Sequence, residues 1–135
     1  MKKYKKIGVI GGMGPESTII FYQEIVRVFQ NKFNAKYDSD YPEMMISNLP
    51  IPDVVENLQN PNAIIEMIKE NSKKLESAGM DFIAIPCNTV NLFYDMFSRS
   101  VSIPILNIIE ETVKKVKSAG YKKVGLLATE TTIKN

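Results

Sequence analysis

Asp81-Phe-Ile-Ala-Ile-Pro-Cys-Asn-Thr89 is the stretch on which the fold turns. Phe82, Ile83, Ala84 and Ile85 form a continuous apolar run of the kind a strand buried on both faces shows. Pro86 stops that strand, and Cys87, the only cysteine of the chain, stands where it ends. Asn88 and Thr89 follow and can cap a helix. In an open parallel α/β sheet, the crevice just past the carboxyl ends of the strands is where ligands bind. The chain also has no histidine. Any chemistry at Cys87 therefore proceeds without the imidazole partner of thiol hydrolases.

The same grammar recurs on both sides of this stretch. Residues 4–10 read as a buried strand, broken by Gly11-Gly-Met-Gly-Pro15. Pro15 and Glu16 suit the first turn of a helix, in which Ser17 and Thr18 fall, and Ile19, Ile20, Tyr22, Ile25, Val26 and Phe29 recur at helical spacing. Tyr22, Phe29 and the methionines are expected in the core. Residues 42–47 read as a second strand, closed by the proline-rich loop Asn48-Leu-Pro-Ile-Pro-Asp53. A helix is expected over 62–78, with Ile64, Ile65, Ile68, Leu75 and Ala78 on one face and Gly79 just past its end. The third strand covers 81–85, and a helix is expected from Asn88 to Ser98. A fourth strand at 103–106 precedes a helix bearing Ile108, Ile109, Thr112, Val113 and Val116, closed by Gly120. Residues 123–128 read as a fifth strand. Strands separated by helices predict βαβ units: an α/β fold with a parallel sheet of four to five strands flanked by helices.

Composition narrows the function. The length of 135 residues suits a single domain with a sizeable core. Seventeen basic against fifteen acidic residues leave a net charge of +2, too weak for a nucleic-acid surface, and the lysines at 2, 3, 5 and 6 read as a solvated end. The apolar run after Lys6 is interrupted by glycines and Glu16, so neither a signal peptide nor a membrane span is expected. A lone cysteine fits a reducing cytoplasm. Without histidine, and with carboxylates that show no ligand spacing, no metal site is expected.

The first glycine loop invites a dinucleotide reading and fails it. A G-x-G-x-x-G motif starting at Gly12 needs glycine where Ser17 stands, and the acid expected after the second strand is replaced by Ser47 and Asn48. The loop's backbone amides at a helix N-terminus are instead expected to cradle a carboxylate or phosphate, the plainer alternative being a tight turn that merely needs glycine. For Cys87 the plainer alternative is a small buried hydrophobe. Against that stands its polar Cys-Asn-Thr context at a helix N-terminus, where the dipole is expected to lower the thiol pKa. A thiolate beside amides and hydroxyls that hold a carboxylate is suited to removing a proton α to it. Thr129, Thr131 and Thr132 after the fifth strand are further donors to an anion.

Gly11-Gly-Met-Gly-Pro15, Pro86-Cys-Asn-Thr89 and Gly125-Leu-Leu-Ala-Thr129, in this order and spacing, resemble the aspartate/glutamate racemase superfamily, closest to its aspartate racemase and broad-specificity amino-acid racemase branch. The resemblance covers the whole chain. It implies a cofactor-independent racemase of two similar α/β lobes with the site between them. One thiolate removes the Cα proton and the opposite thiol delivers another to the other face. Cys87 matches the first-lobe cysteine. Met13, Gly14, Asn88 and Thr89 match positions that hold the amino acid, as do Thr129 and Thr132. Neither pyridoxal phosphate nor a metal is implied.

The departures from that pattern are specific. Gly11 replaces the acid of the Asp-Ser-Gly loop of glutamate racemases. The second-lobe cysteine, usually in Gly-Cys-Thr, has no counterpart. Val54 follows Ile51-Pro-Asp53 where aspartate-type members carry a basic residue, and Asn91 stands where many relatives have histidine. The expectation is a first lobe over residues 1–119 and the first strand of a second, truncated lobe over 120–135, inactive alone as a racemase. An unpaired fifth strand would be an adhesive edge, so the expectation is either association, as in a homodimer, or disorder of the tail past Gly120. Its partners are otherwise a small amino acid or dicarboxylate, with no nucleic acid and no membrane. Alternatives are another reaction of the superfamily (hydantoin racemisation, maleate isomerisation, decarboxylation) or a non-catalytic domain that binds a small carboxylate.

Overall fold

Strand β1 (Ile7–Gly11) is the middle of the sheet, and every one of its residues is buried. The structure is a computed structural model that describes residues 4–51, 60–128 and 130–134. β1 pairs in parallel with β2 (Met44–Asn48) on one side and β3 (Phe82–Ala84) on the other, giving the order β2-β1-β3. Ile7 lies opposite Met44 and Phe82, so the three carboxyl ends point the same way. The connections are the helices α1 (Pro15–Phe33) and α2 (Pro61–Ser77).

α2 shows why the apolar spacing matters. Asn60 caps it by accepting from the Ala63 amide at 3.1 Å, Pro61 opens it, and Gly79 at φ +81° lets the chain turn back behind it. Its face of Ile64, Ile65, Ile68 and Leu75 is buried in one cluster with Ile10, Ile83, Ile85, Val90 and Phe97. This cluster is the hydrophobic core.

Three expectations are corrected. The sheet has three strands among the described residues, not four or five. The expected fourth is reduced to one bridge, Ile83 to Ile105, because Pro104 has no amide proton with which to extend a ladder. Residues 123–128 form no strand: Val124 and Leu126 are exposed and Leu127 is completely so. Strand propensity supplies an extended backbone, whereas a strand also needs a neighbour. The chain then turns into a short helix, residues 130–134.

The expected helix over 88–98 is two short ones, α3 (Asn88–Asn91) and α4 (Tyr94–Phe97). Between them the Leu92 and Phe93 amides reach back three residues, to Thr89 and Val90. The Asn91 side chain takes the Cys87 carbonyl four residues back, a bond that competes with regular helix. The core expectation also fails in part. Met13 and Met80 are buried, while Tyr22, Met45 and Met96 are exposed. Phe29 is half-buried in an aromatic group with Tyr4 at 4.8 Å and Phe33 at 4.9 Å. α5 (Ile108–Ser118) is capped by Asn107, whose side chain accepts from the Ile109 and Glu110 amides, and Gly120 follows its end at φ +75°.

Candidate active site

The loops after β1 and β3 meet at the carboxyl edge of the sheet. Gly12, at φ +90°, lies so close to the chain after β2 that an added Cβ would sit 2.8 Å from the Leu49 nitrogen and oxygen. Only glycine fits there. Gly11 is equally confined, with Thr18 occupying the space a side chain would need. The buried Thr18 hydroxyl stitches the loop together: it accepts from the Gly12 amide at 3.0 Å and donates to the Gly14 carbonyl at 3.3 Å. The Gly12 amide is therefore committed to Thr18 and is not free to hold an anion.

Beyond β3, the Cys87 amide donates to the Ile85 carbonyl at 2.8 Å, closing a tight turn around Pro86. Cys87 becomes the N-cap residue of α3, in place of Asn88 or Thr89. The residue is 9% exposed, and its side chain makes no capping hydrogen bond. Burial pushes the thiol above its ordinary value, and the nearby backbone amides of Val90 and Thr89 pull against that rise. The expected lowering by a helix dipole is thus overturned. α3 is a single turn with little aligned backbone, and desolvation dominates.

Both loops face a cavity of about 560 Å³, within the range of small-molecule sites. Met13, Gly14, Cys87, Asn88, Thr89 and Thr132 all line it, so six of the seven residues that the resemblance assigns to the site are brought together. The seventh, Thr129, lies outside the described residues, as do Asp53 and Val54; of Thr131 only the backbone is described. The sequence reading missed the wall made by α1: Ser17, Ile20, Phe21 and Glu24 also line the cavity. Their spacing of three, four and seven residues is one helical face, a signal available in advance. It also missed Ile108 at the start of α5, which no sequence pattern connects to Cys87. Glu24 pairs with Arg27 one turn on, and that hydrogen bond holds its carboxyl below the usual range. The cavity lining thus includes an ionised carboxylate.

A fold of this topology with a cysteine and glycine loops converging on one cavity defines a class, and the comparisons agree with it. The chain belongs to the Asp/Glu/hydantoin racemase family, whose profile matches residues 10–135. It is 38% identical over 129 residues to the broad-specificity amino-acid racemase RacX of Bacillus subtilis, covering 96% of this chain and 56% of that protein. It superposes with a TM-score of 0.84 on the crystal structure of an aspartate racemase homologue from Pyrococcus horikoshii, at 34% identity, over 97% of this chain and 57% of the other. The aspartate racemase of Picrophilus torridus superposes equally well, with a TM-score of 0.84 at 33% identity and 55% of its chain covered. The chain therefore spans somewhat more than half the length of these relatives. Among the described residues, no helix is long and apolar enough to cross a membrane.

Proposed function

We propose that this chain is the first lobe, residues 1–119, and the start of a second lobe, residues 120–135, of a cofactor-independent amino-acid racemase of the reducing cytoplasm. The observation that carries this reading is the gathering of Cys87 with Met13, Gly14, Asn88, Thr89 and Thr132 around one cavity. Membership of the family supports it.

In this reading the substrate carboxylate lies against the Asn88 and Thr89 side of the cavity, with Cα facing Cys87. A thiolate on one side of Cα takes its proton, and the electron pair left on carbon delocalises into the carboxylate. A thiol on the opposite side gives its proton to the other face. After one turnover the two sulfurs have exchanged protonation states. Burial pushes the Cys87 thiol up in this chain, which suits it to the donor role in one direction of the reaction, and in the other direction it is the base. The partner thiol is not in this sequence, whose single cysteine is Cys87. This chain alone should therefore not racemise efficiently. An aspartate-type substrate is the expectation from the resemblance, and Glu24 in the cavity wall lends it no support.

The test is Cα deuteration and inversion of a panel of amino acids, aspartate included, in D₂O by a protein that carries both lobes and both thiols. Cys87→Ser is expected to lower both by about 10²- to 10⁴-fold, the usual worth of a positioned acid/base. Absence of exchange with every amino acid, or an unimpaired C87S, would overturn the proposal. Hydantoins in the same panel separate the racemases of the family from one another.

A further inference from the structure

We infer that Asn91 is a positioning residue, whose carboxamide locks the Cys87 turn to the Ile108 wall of the cavity. Asn91 is only 2% exposed. Its Nδ2 donates to the Cys87 carbonyl at 2.8 Å and to the Ile85 carbonyl at 3.2 Å. Its Oδ1 accepts from the Ile108 amide at 3.4 Å. These partners settle the orientation of the amide, because carbonyls only accept and an N–H only donates. One bond restrains the main chain of the residue that carries the thiol. Another fixes the first residue of α5. Cys87 and Ile108 both line the cavity, so one side chain sets the relation between the sulfur and the opposite wall.

The chemistry of the position is narrow. Leucine has nearly the same shape and makes none of the three bonds. Histidine can donate from one ring nitrogen and accept with the other, so it can keep one bond of each kind. The importance of Asn91 for catalysis rests on the racemase reading, whereas its hold on the thiol does not. Among the described residues the charged side chain lining the cavity with Cys87 is Glu24 of α1, and the variants below leave it in place.

The experiment is the pH dependence of Cys87 alkylation by iodoacetamide in the 135-residue chain, measured well below the melting temperature. Asn91→Leu is expected to react about three- to tenfold faster at neutral pH, the factor that one lost hydrogen bond represents. The midpoint of its profile should fall toward that of an ordinary thiol as the turn opens to water. Asn91→His should keep the parent profile. If N91L does not fold, the smaller Asn91→Ala, which also makes none of the three bonds, takes its place and is read the same way. A profile coincident with the parent, with only the melting temperature lowered, would overturn the inference, as would an N91H that behaves like N91L. A failure of the racemase reading would show instead as absent Cα exchange, with these alkylation rates unaffected.

Discussion

α2 and α5 are written in the same grammar and meet opposite fates. Each is capped by an asparagine, carries lysine in its last turn and is followed by a glycine at positive φ. Each has an apolar stripe at helical spacing. α2 buries its stripe, with Ile64, Ile65, Ile68 and Leu75 at 3% exposure or less, whereas Ile109 and Val113 of α5 remain 40% and 45% exposed. The exposed stripe of α5 borders a groove of about 700 Å³ that includes Leu92, Val124 and Leu126 and shares Asn88 and Thr132 with the Cys87 cavity. Amphipathicity states that a face should be covered. It does not state by what.

The comparison can be broken most directly by the same truncation on both helices. Ile68→Ala removes a side chain with no exposure from the core and should cost about 2–5 kcal/mol. Ile109→Ala should change stability by no more than about 0.5 kcal/mol, since its partial burial is offset by the better helix propensity of alanine. Urea titrations of the two variants measure the difference. Equal losses would mean that α5 is as well packed in solution as α2.

The caps give a smaller and sharper contrast. Asn60→Ala leaves the Ala63 amide without its acceptor, and Asn107→Ala does the same to the Ile109 and Glu110 amides. Each should cost its own helix about 0.5–2 kcal/mol. For α2 that loss should appear in global unfolding, because the core rests on this helix. For α5 it should appear as faster amide exchange confined to the helix, with the global midpoint nearly unmoved. Faster exchange of α2 after N107A would show that the two helices unfold as one unit.

The same contrast separates what was legible in the sequence from what was not. Local rules held wherever they concern one residue and its neighbours. The glycine loop after β1, the stops at Gly79 and Gly120, and the break at Pro86 before Cys87 all follow from backbone sterics that a sequence displays. The rules failed where a distant partner decides. The bridge at Ile105 and the unpaired 123–128 segment are legible as extended chain but not as strand or loop. The division between α3 and α4 depends on Asn91 reaching back to the Cys87 carbonyl, which periodicity does not encode. Cys87 itself was placed correctly in the cavity with the wrong sign on its thiol, because the short length of α3 and the depth of burial are tertiary facts.

That sign makes the smallest prediction, and it tests how dry the α2 side of the molecule is at its border with the cavity. In the unfolded chain the Cys87 thiol ionises at its ordinary value, and in the folded chain burial holds it protonated to higher pH. Between those two values the unfolded state binds fewer protons than the folded state, so stability falls as pH rises. The contribution is present below the ordinary thiol range and is lost on passing through the folded value. Tyr94, also pushed up chiefly by burial, adds a loss of the same sign at higher pH, so the difference between parent and Cys87→Ser isolates the thiol. Paired urea midpoints across the mildly alkaline range should converge as pH rises, with C87S showing the shallower decline. Parallel curves would mean that water already reaches the sulfur, and that the buried half of the molecule ends before Cys87.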